Sequence, residues 1–183
     1  MAKNWRDDIL SFWFGEVRPE NWFESTRDID ETMRQRFGSL HERLSNDLPK
    51  EATEEQRAAL AAVILFDQFP RNMYRGTARA FSTDDLAVRI ARAAVDKRLD
   101  DGLPPEQRQF LYMPFQHSEI AADQELSVML FKALGLEEQL RYALEHRDII
   151  QRFGRFPHRN RALGRESTRE ELAFLEAHEG FGQ

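Results

Sequence analysis

A chain of 183 residues with 41% hydrophobic and 11% aromatic content is long enough to bury one core of ordinary size. Its formal net charge of -6 does not favour nucleic acid as a partner, which would select a basic face. The absence of cysteine removes disulfides, thiolate metal sites and cysteine nucleophiles.

Helical spacing recurs along the chain, and no strand-like alternation persists. The first helix is expected from Trp5 to Phe14, stopping near Gly15, and the second from Arg27 to Leu44. The third begins at Thr53, where Thr53 and Gln56 have capping-box spacing, and ends by Phe69 because Pro70 follows. A loop from Pro70 to Phe81 leads to a helix capped by Ser82 or Thr83 that runs to Lys97. Pro104 and Pro105 open a short helix, and Pro114 separates it from a long one that Gly135 closes. The next runs from Glu137 to Phe153 and stops at Gly154. The last starts with a capping box of Thr168 and Glu171 and ends at Gly180. The expected fold is one all-α domain over residues 1–183, of about eight helices with short connections, so that sequential neighbours pack antiparallel. No apolar run approaches the roughly 20 residues of a membrane span. The segment from Met1 to Phe14 carries Asp7 and Asp8 and does not read as a signal peptide. A soluble, cytoplasmic protein without a membrane partner is the expectation.

Several polar residues fall on apolar helical arcs, where each must find a partner. Projected as one helix, 115–134 has a narrow solvated stripe of Ser118, Glu125 and Lys132 and is otherwise mostly apolar, as in a buried helix. Glu119 and Asp123 lie one turn apart outside that stripe, and His117 and Gln124 lie together on another side. His146 is central in the arc of Tyr142, Ala143, Ile149, Ile150 and Phe153. Asp67 and Gln68 follow the fully apolar turn Val63-Ile64-Leu65-Phe66 and are expected to be buried.

Two segments concentrate arginine among Phe, Pro, Gly and Asn. One is Arg71-Asn72-Met73-Tyr74-Arg75-Gly76. The other, from Arg152 to Asn160 and on to Arg161, includes Arg155, His158 and Arg159 and contains no acidic residue. Guanidinium forks suit carboxylate or phosphate groups, and they equally cap helix ends or pair with buried carboxylates. No Gly-rich phosphate loop, HExxH or GxSxG is present, and no metal or cofactor is expected. For the aromatic groups Phe12-Trp13-Phe14 and Trp22-Phe23, core packing is the expected use rather than a ligand box.

The stretches Ile9 to Gly15, Leu65 to Asn72 with Tyr74-Arg75-Gly76, Tyr112 to Glu119 with Asp123-Gln124, and His146 with Arg152 to Asn160 and Gly164-Arg165 resemble the bacterial domain-of-unknown-function family 924. Phe66 departs from the leucine expected there. The resemblance covers nearly the whole chain and implies a tetratricopeptide-like stack of antiparallel helix pairs, with no catalytic residues to carry over.

Three functional readings stand side by side. In the first, Asp67, Arg71, Asn72, Arg75, Arg155, His158, Arg159 and Asn160 join His117, Glu119, Asp123, Gln124 and His146 around a pocket for a small anionic molecule or a peptide carboxylate. In the second, His146 or His117 is a general base oriented by Glu119 or Asp123, acting on an anionic substrate. In the third, the polar set ties loops to the core.

Overall fold

The computed structural model describes residues 4–178, and the chain is all-helical. Among the described residues, eight helices follow one another. Helix α1 spans 5–16, with Trp5–Ser11 α-helical and Phe12–Glu16 a wider π turn. Helix α2 is Arg27–Asn46, and α3 spans 56–73. Then come α4, Asp84–Asp96, and α5, Pro105–His117. The last three are α6, Ala121–Leu134, α7, Glu137–Phe153, and α8, Arg169–Ala177. Gly180, expected to end α8, lies outside the described residues. No helix among the described residues is long and apolar enough to cross a membrane.

Helix α3 is the central element. Every residue from Ala58 to Arg71 is buried, and α1, α2, α4 and α5 all pack against it. A principal cluster of buried apolar side chains runs from Ile9 to Ala143, with Trp13, Phe37, Phe66, Phe69 and Phe110 among its largest members. A smaller cluster of Ile149, Ile150 and Phe156 lies beside it. Phe12 and Trp13 are core residues, as expected, whereas Phe23 is 54% exposed.

Expected boundaries are corrected in two regions. Helix α3 does not stop at Phe69: it passes through Pro70 to Met73. Proline in a helix removes one amide hydrogen and crowds the carbonyl four residues back. Here the chain widens into a π turn over Ile64–Gln68, with the Phe69 amide bonded to the Ile64 carbonyl. The carbonyl of Phe66, four residues before Pro70, accepts instead from the Thr83 hydroxyl at 2.7 Å. Thr83 is therefore not a side-chain cap for α4. The start of α3 differs as well. Residues Lys50–Thr53 form a 3₁₀ turn, and the Gln56 amide donates to the carbonyls of Leu99 and Asp101, at 2.7 Å each, rather than closing a capping box.

The second correction concerns 115–134, which is not one helix. Pro114 lies inside α5, and the chain breaks at Ser118, whose ψ is 140°. Ser118, expected to be solvated, is buried and donates its hydroxyl hydrogen to Asp123 at 2.7 Å. Beyond the break, Ile120 and, within α6, Met129 are 60% and 61% exposed. The expected endings at Gly135 and Gly154 hold, both glycines taking the left-handed conformation, φ 76° and 70°. The capping box of Thr168 and Glu171 is present.

Candidate functional site

The wide turn in α3 and the end of α5 bring Asp67 and His117 together. Asp67 is fully buried, and His117 is the last residue of its helix, 8% exposed. His117 Nδ1 lies 2.8 and 3.0 Å from the two oxygens of the Asp67 carboxylate. Burial favours the neutral acid at Asp67, but the charge of Arg71 and the bond from His117 outweigh it and hold the carboxyl down at about 2. An ionised carboxylate only accepts, so the His117 hydrogen is on Nδ1. Burial lowers the His117 pKa despite the neighbouring carboxylate, so the ring is neutral at pH 7. Its Nε2 carries a lone pair and has no hydrogen-bond partner among the described residues. His117 lines a cleft of about 780 Å³.

Gln124 keeps that helix end in place. Its Nε2 donates to the carbonyls of Gln116 and Ser118, both at 2.7 Å. A helix end leaves four carbonyls without intrahelical partners, and this side chain satisfies groups at the end of α5. The position one turn after the break, invisible while 115–134 was read as one helix, is what gives Gln124 its role.

The second histidine is close by. The ring centres of His117 and His146 are 6.1 Å apart. His146 Nδ1 donates to the Tyr142 carbonyl at 2.7 Å, and burial, then the neighbouring His117, lowers its pKa well below the ordinary value. His146 also lines the cleft, as do Arg71, Asn72 and Arg75.

The arginines are already met by carboxylates. Both Nη atoms of Arg71 reach Asp84 at 2.9 Å, and Nη1 also donates to the Asp67 carbonyl at 2.6 Å. Arg75 pairs with Asp30 at 3.2 Å and donates to Asn72. Arg159, 4% exposed, also reaches Asp84, at 3.2 Å, and its guanidinium lies 4.6 Å from the ring centres of Phe81 and of Phe156. Burial and the neighbouring Arg71 lower the Arg159 pKa to about 10. Asp84, in the first turn of α4, thus bridges the cleft floor and the C-terminal loop. Asp84 carried no sequence signal beyond its place in a helix's first turn.

Another network holds the remaining candidates away from the cleft. Arg155 makes a forked pair with Glu171 at 2.7 and 2.9 Å. Glu171, bonded by that fork and by the Thr168 amide, is held at about 2. Asn160 bonds Ser167, Glu171 and Arg165. Glu119 receives a fork from Arg165 at 2.8 and 2.9 Å and the Phe156 amide at 2.8 Å. Asp123 pairs with Arg92 and Ser118. The ring of His158 packs 5.4 Å from Phe156. Neither Glu119 nor Asp123 orients a histidine, since Asp67 does so for His117 and the Tyr142 carbonyl for His146.

The cleft wall holds residues that the sequence reading did not select. Trp22, Phe23 and Tyr142 line it, with Phe23 and Tyr142 exposed and the Trp22 N–H turned inward to the Trp13 carbonyl at 3.0 Å. Gln116 lines it too, 7% exposed, and its side-chain amide has no partner among the described residues. Its signal was present: a glutamine one step before His117 in an otherwise apolar run. Among the described residues, no group of three His, Asp or Glu side chains is placed to hold a metal ion.

A solved structure of a protein of unknown function from Agrobacterium tumefaciens, ATU0120, is 39% identical to this chain, with a TM-score of 0.89. The similarity covers 94% of this chain and 97% of that one. No functionally curated protein matches. The family of bacterial proteins of unknown function designated DUF924 matches residues 9–179. Across that length, the chain belongs to the DUF924 family.

Proposed function

We propose that the cleft binds a small organic molecule and that His117 acts on it, or on water, as a general base. One observation carries this reading. Asp67 fixes the His117 hydrogen on Nδ1, which leaves Nε2 as a neutral proton acceptor at the cleft. A base works best when it is unprotonated at working pH and oriented by a third group. His117 meets both conditions. In a hydrolytic use, Nε2 takes a proton from water as the oxygen adds to a carbonyl carbon. The imidazolium then returns that proton to the leaving group. Asp67 stabilises the transient positive ring.

An anionic ligand is less well supported. Arg71, Arg75, Arg155 and Arg159 each have a carboxylate partner, so an anion would have to displace one. For Arg155, Arg159 and Asn160 the tie between loop and core is the better account. A tetratricopeptide-like stack would suit the reading, because such scaffolds present concave binding faces.

The test is hydrolysis of p-nitrophenyl acetate, a generic acyl probe. The protein is expected to hydrolyse it above the buffer rate. His117→Asn, with its helical circular dichroism unchanged, is expected to lower that rate at least about tenfold, within the usual contribution of a general base. Asp67→Asn is expected to lower it by a smaller factor. Equal rates in the wild type and His117→Asn would remove the base.

A further inference from the structure

Resting on the reading of the cleft as a ligand site, we propose that its ligand is an organic ammonium compound with a flat apolar body. The body would lie against Trp22, Phe23 and Tyr142, and the positive charge would face the rim carboxylates of Glu20, Glu24 and Glu138.

Charge is the first argument. Four glutamates line the cleft: these three and Glu145. Two arginines line it, and the charges of both are matched by Asp84 and Asp30. The glutamates are not matched in the same way. Glu20 and Glu138 each lie 3.8 Å from an arginine on the open surface, the limit of a contact and a solvated one. Glu145 is bonded to His178 at 2.9 Å. The potential at the mouth is therefore negative, which draws cations and repels anions.

Shape and chemistry of the wall are the second argument. Phe23 and Tyr142 are 54% and 39% exposed, a large apolar area to leave in water, and both are on the cleft. Ring faces attract ammonium groups through the negative potential over their π electrons. Tyr142 already holds one cation in this way: the Arg141 guanidinium is 5.1 Å from its ring centre. The third argument is independent of both. Gln116 is more than nine-tenths buried as a residue and lines the cleft, and its side-chain amide has no partner among the described residues. Its amide oxygen is an acceptor that an ammonium N–H of the ligand would satisfy.

Three matched probes test the proposal: 2-phenylethylamine, 2-phenylethanol and 3-phenylpropionate. Binding is measured by ligand-observed NMR on the full chain at low and high salt. The amine is expected to bind about tenfold more tightly than the carboxylate at low salt, with the alcohol between them, and the preference is expected to shrink as salt screens the rim. Glu24→Gln with Glu138→Gln is expected to erase most of the preference, and Phe23→Ala to weaken all three probes. These positions are exposed, so the variants should fold. Equal binding of the three, preference for the carboxylate, or binding of none overturns the proposal. This assay reads affinity alone. Loss of the amine preference bears on the rim, whereas an unchanged hydrolysis rate in His117→Asn bears on the base.

Discussion

Thr83 donates its hydroxyl hydrogen to the carbonyl of Phe66, the oxygen that Pro70 leaves without a helical partner. The same hydroxyl is 3.1 Å from His41 Nε2. Because its own hydrogen is committed to Phe66, the hydrogen between it and His41 belongs to the imidazole. Thr83→Val keeps the shape and removes the hydroxyl. It leaves a buried carbonyl and a buried N–H unmatched, so it should destabilise the fold by about 2–4 kcal/mol. Urea unfolding measures this. A midpoint equal to that of the wild type would show that the wide turn in α3 stands without Thr83.

Acid should weaken the fold in two stages. Burial, then the nearby Arg79, lowers the His41 pKa to about 4, and His117 and His146 are lowered by burial too. The unfolded chain takes up these protons near pH 6.5, and the folded chain resists them. Their contribution is complete above pH 6.5 and is lost as pH falls, for His41 toward 4. For His41 alone it is roughly 3 kcal/mol. Asp67, held at about 2, acts lower: its contribution is present above its unfolded value near 4 and is lost as pH falls toward 2. Urea midpoints at pH 7.5, 6 and 5 should decline steadily. A flat series would contradict neutral buried imidazoles.

Gln124→Leu should separate position from chemistry. The substitution leaves the carbonyls of Gln116 and Ser118 without their donor and should cost about 2 kcal/mol. It touches neither Asp67 nor the His117 ring. Hydrolysis of the acyl probe should nevertheless fall severalfold, because the end of α5 that aims His117 is released. Unfolding and rate measurements on one sample check both. A stable variant at full rate would mean that the break at Ser118 needs no such tie.

Burial was more legible in the sequence than partnership. Asp67, His117, Gln124 and His146 stand out because they interrupt apolar runs, and all four are buried. Their partners could not be read, because pairing depends on distances that chain order does not hold. Asp67 meets His117 across fifty residues, and Arg159 meets Asp84 across seventy-five. Glu119 and Asp123 are carboxylates on an apolar arc and so suggest orienting groups, but they are taken by Arg165, Arg92 and Ser118. Pro70 misled for a different reason. Its local rule, that proline ends a helix, was overridden by a threonine thirteen residues later that supplied the missing hydrogen bond. The aromatic walls were hidden by a sound general preference for putting Phe and Trp in the core, which Trp13 obeys and Phe23 does not.

Asp84 answers two arginines, one beneath the cleft and one in the loop that follows α7. On a ribosome these groups appear far apart in time. Arg71 and Asp84 emerge early, while Arg159 arrives only when most of the chain has been made. Until then Asp84 meets one cation where the folded protein gives it two, and the loop carrying Arg159 is not yet anchored. A nascent chain would thus hold the histidine and its carboxylate before the loop that shares Asp84 arrives.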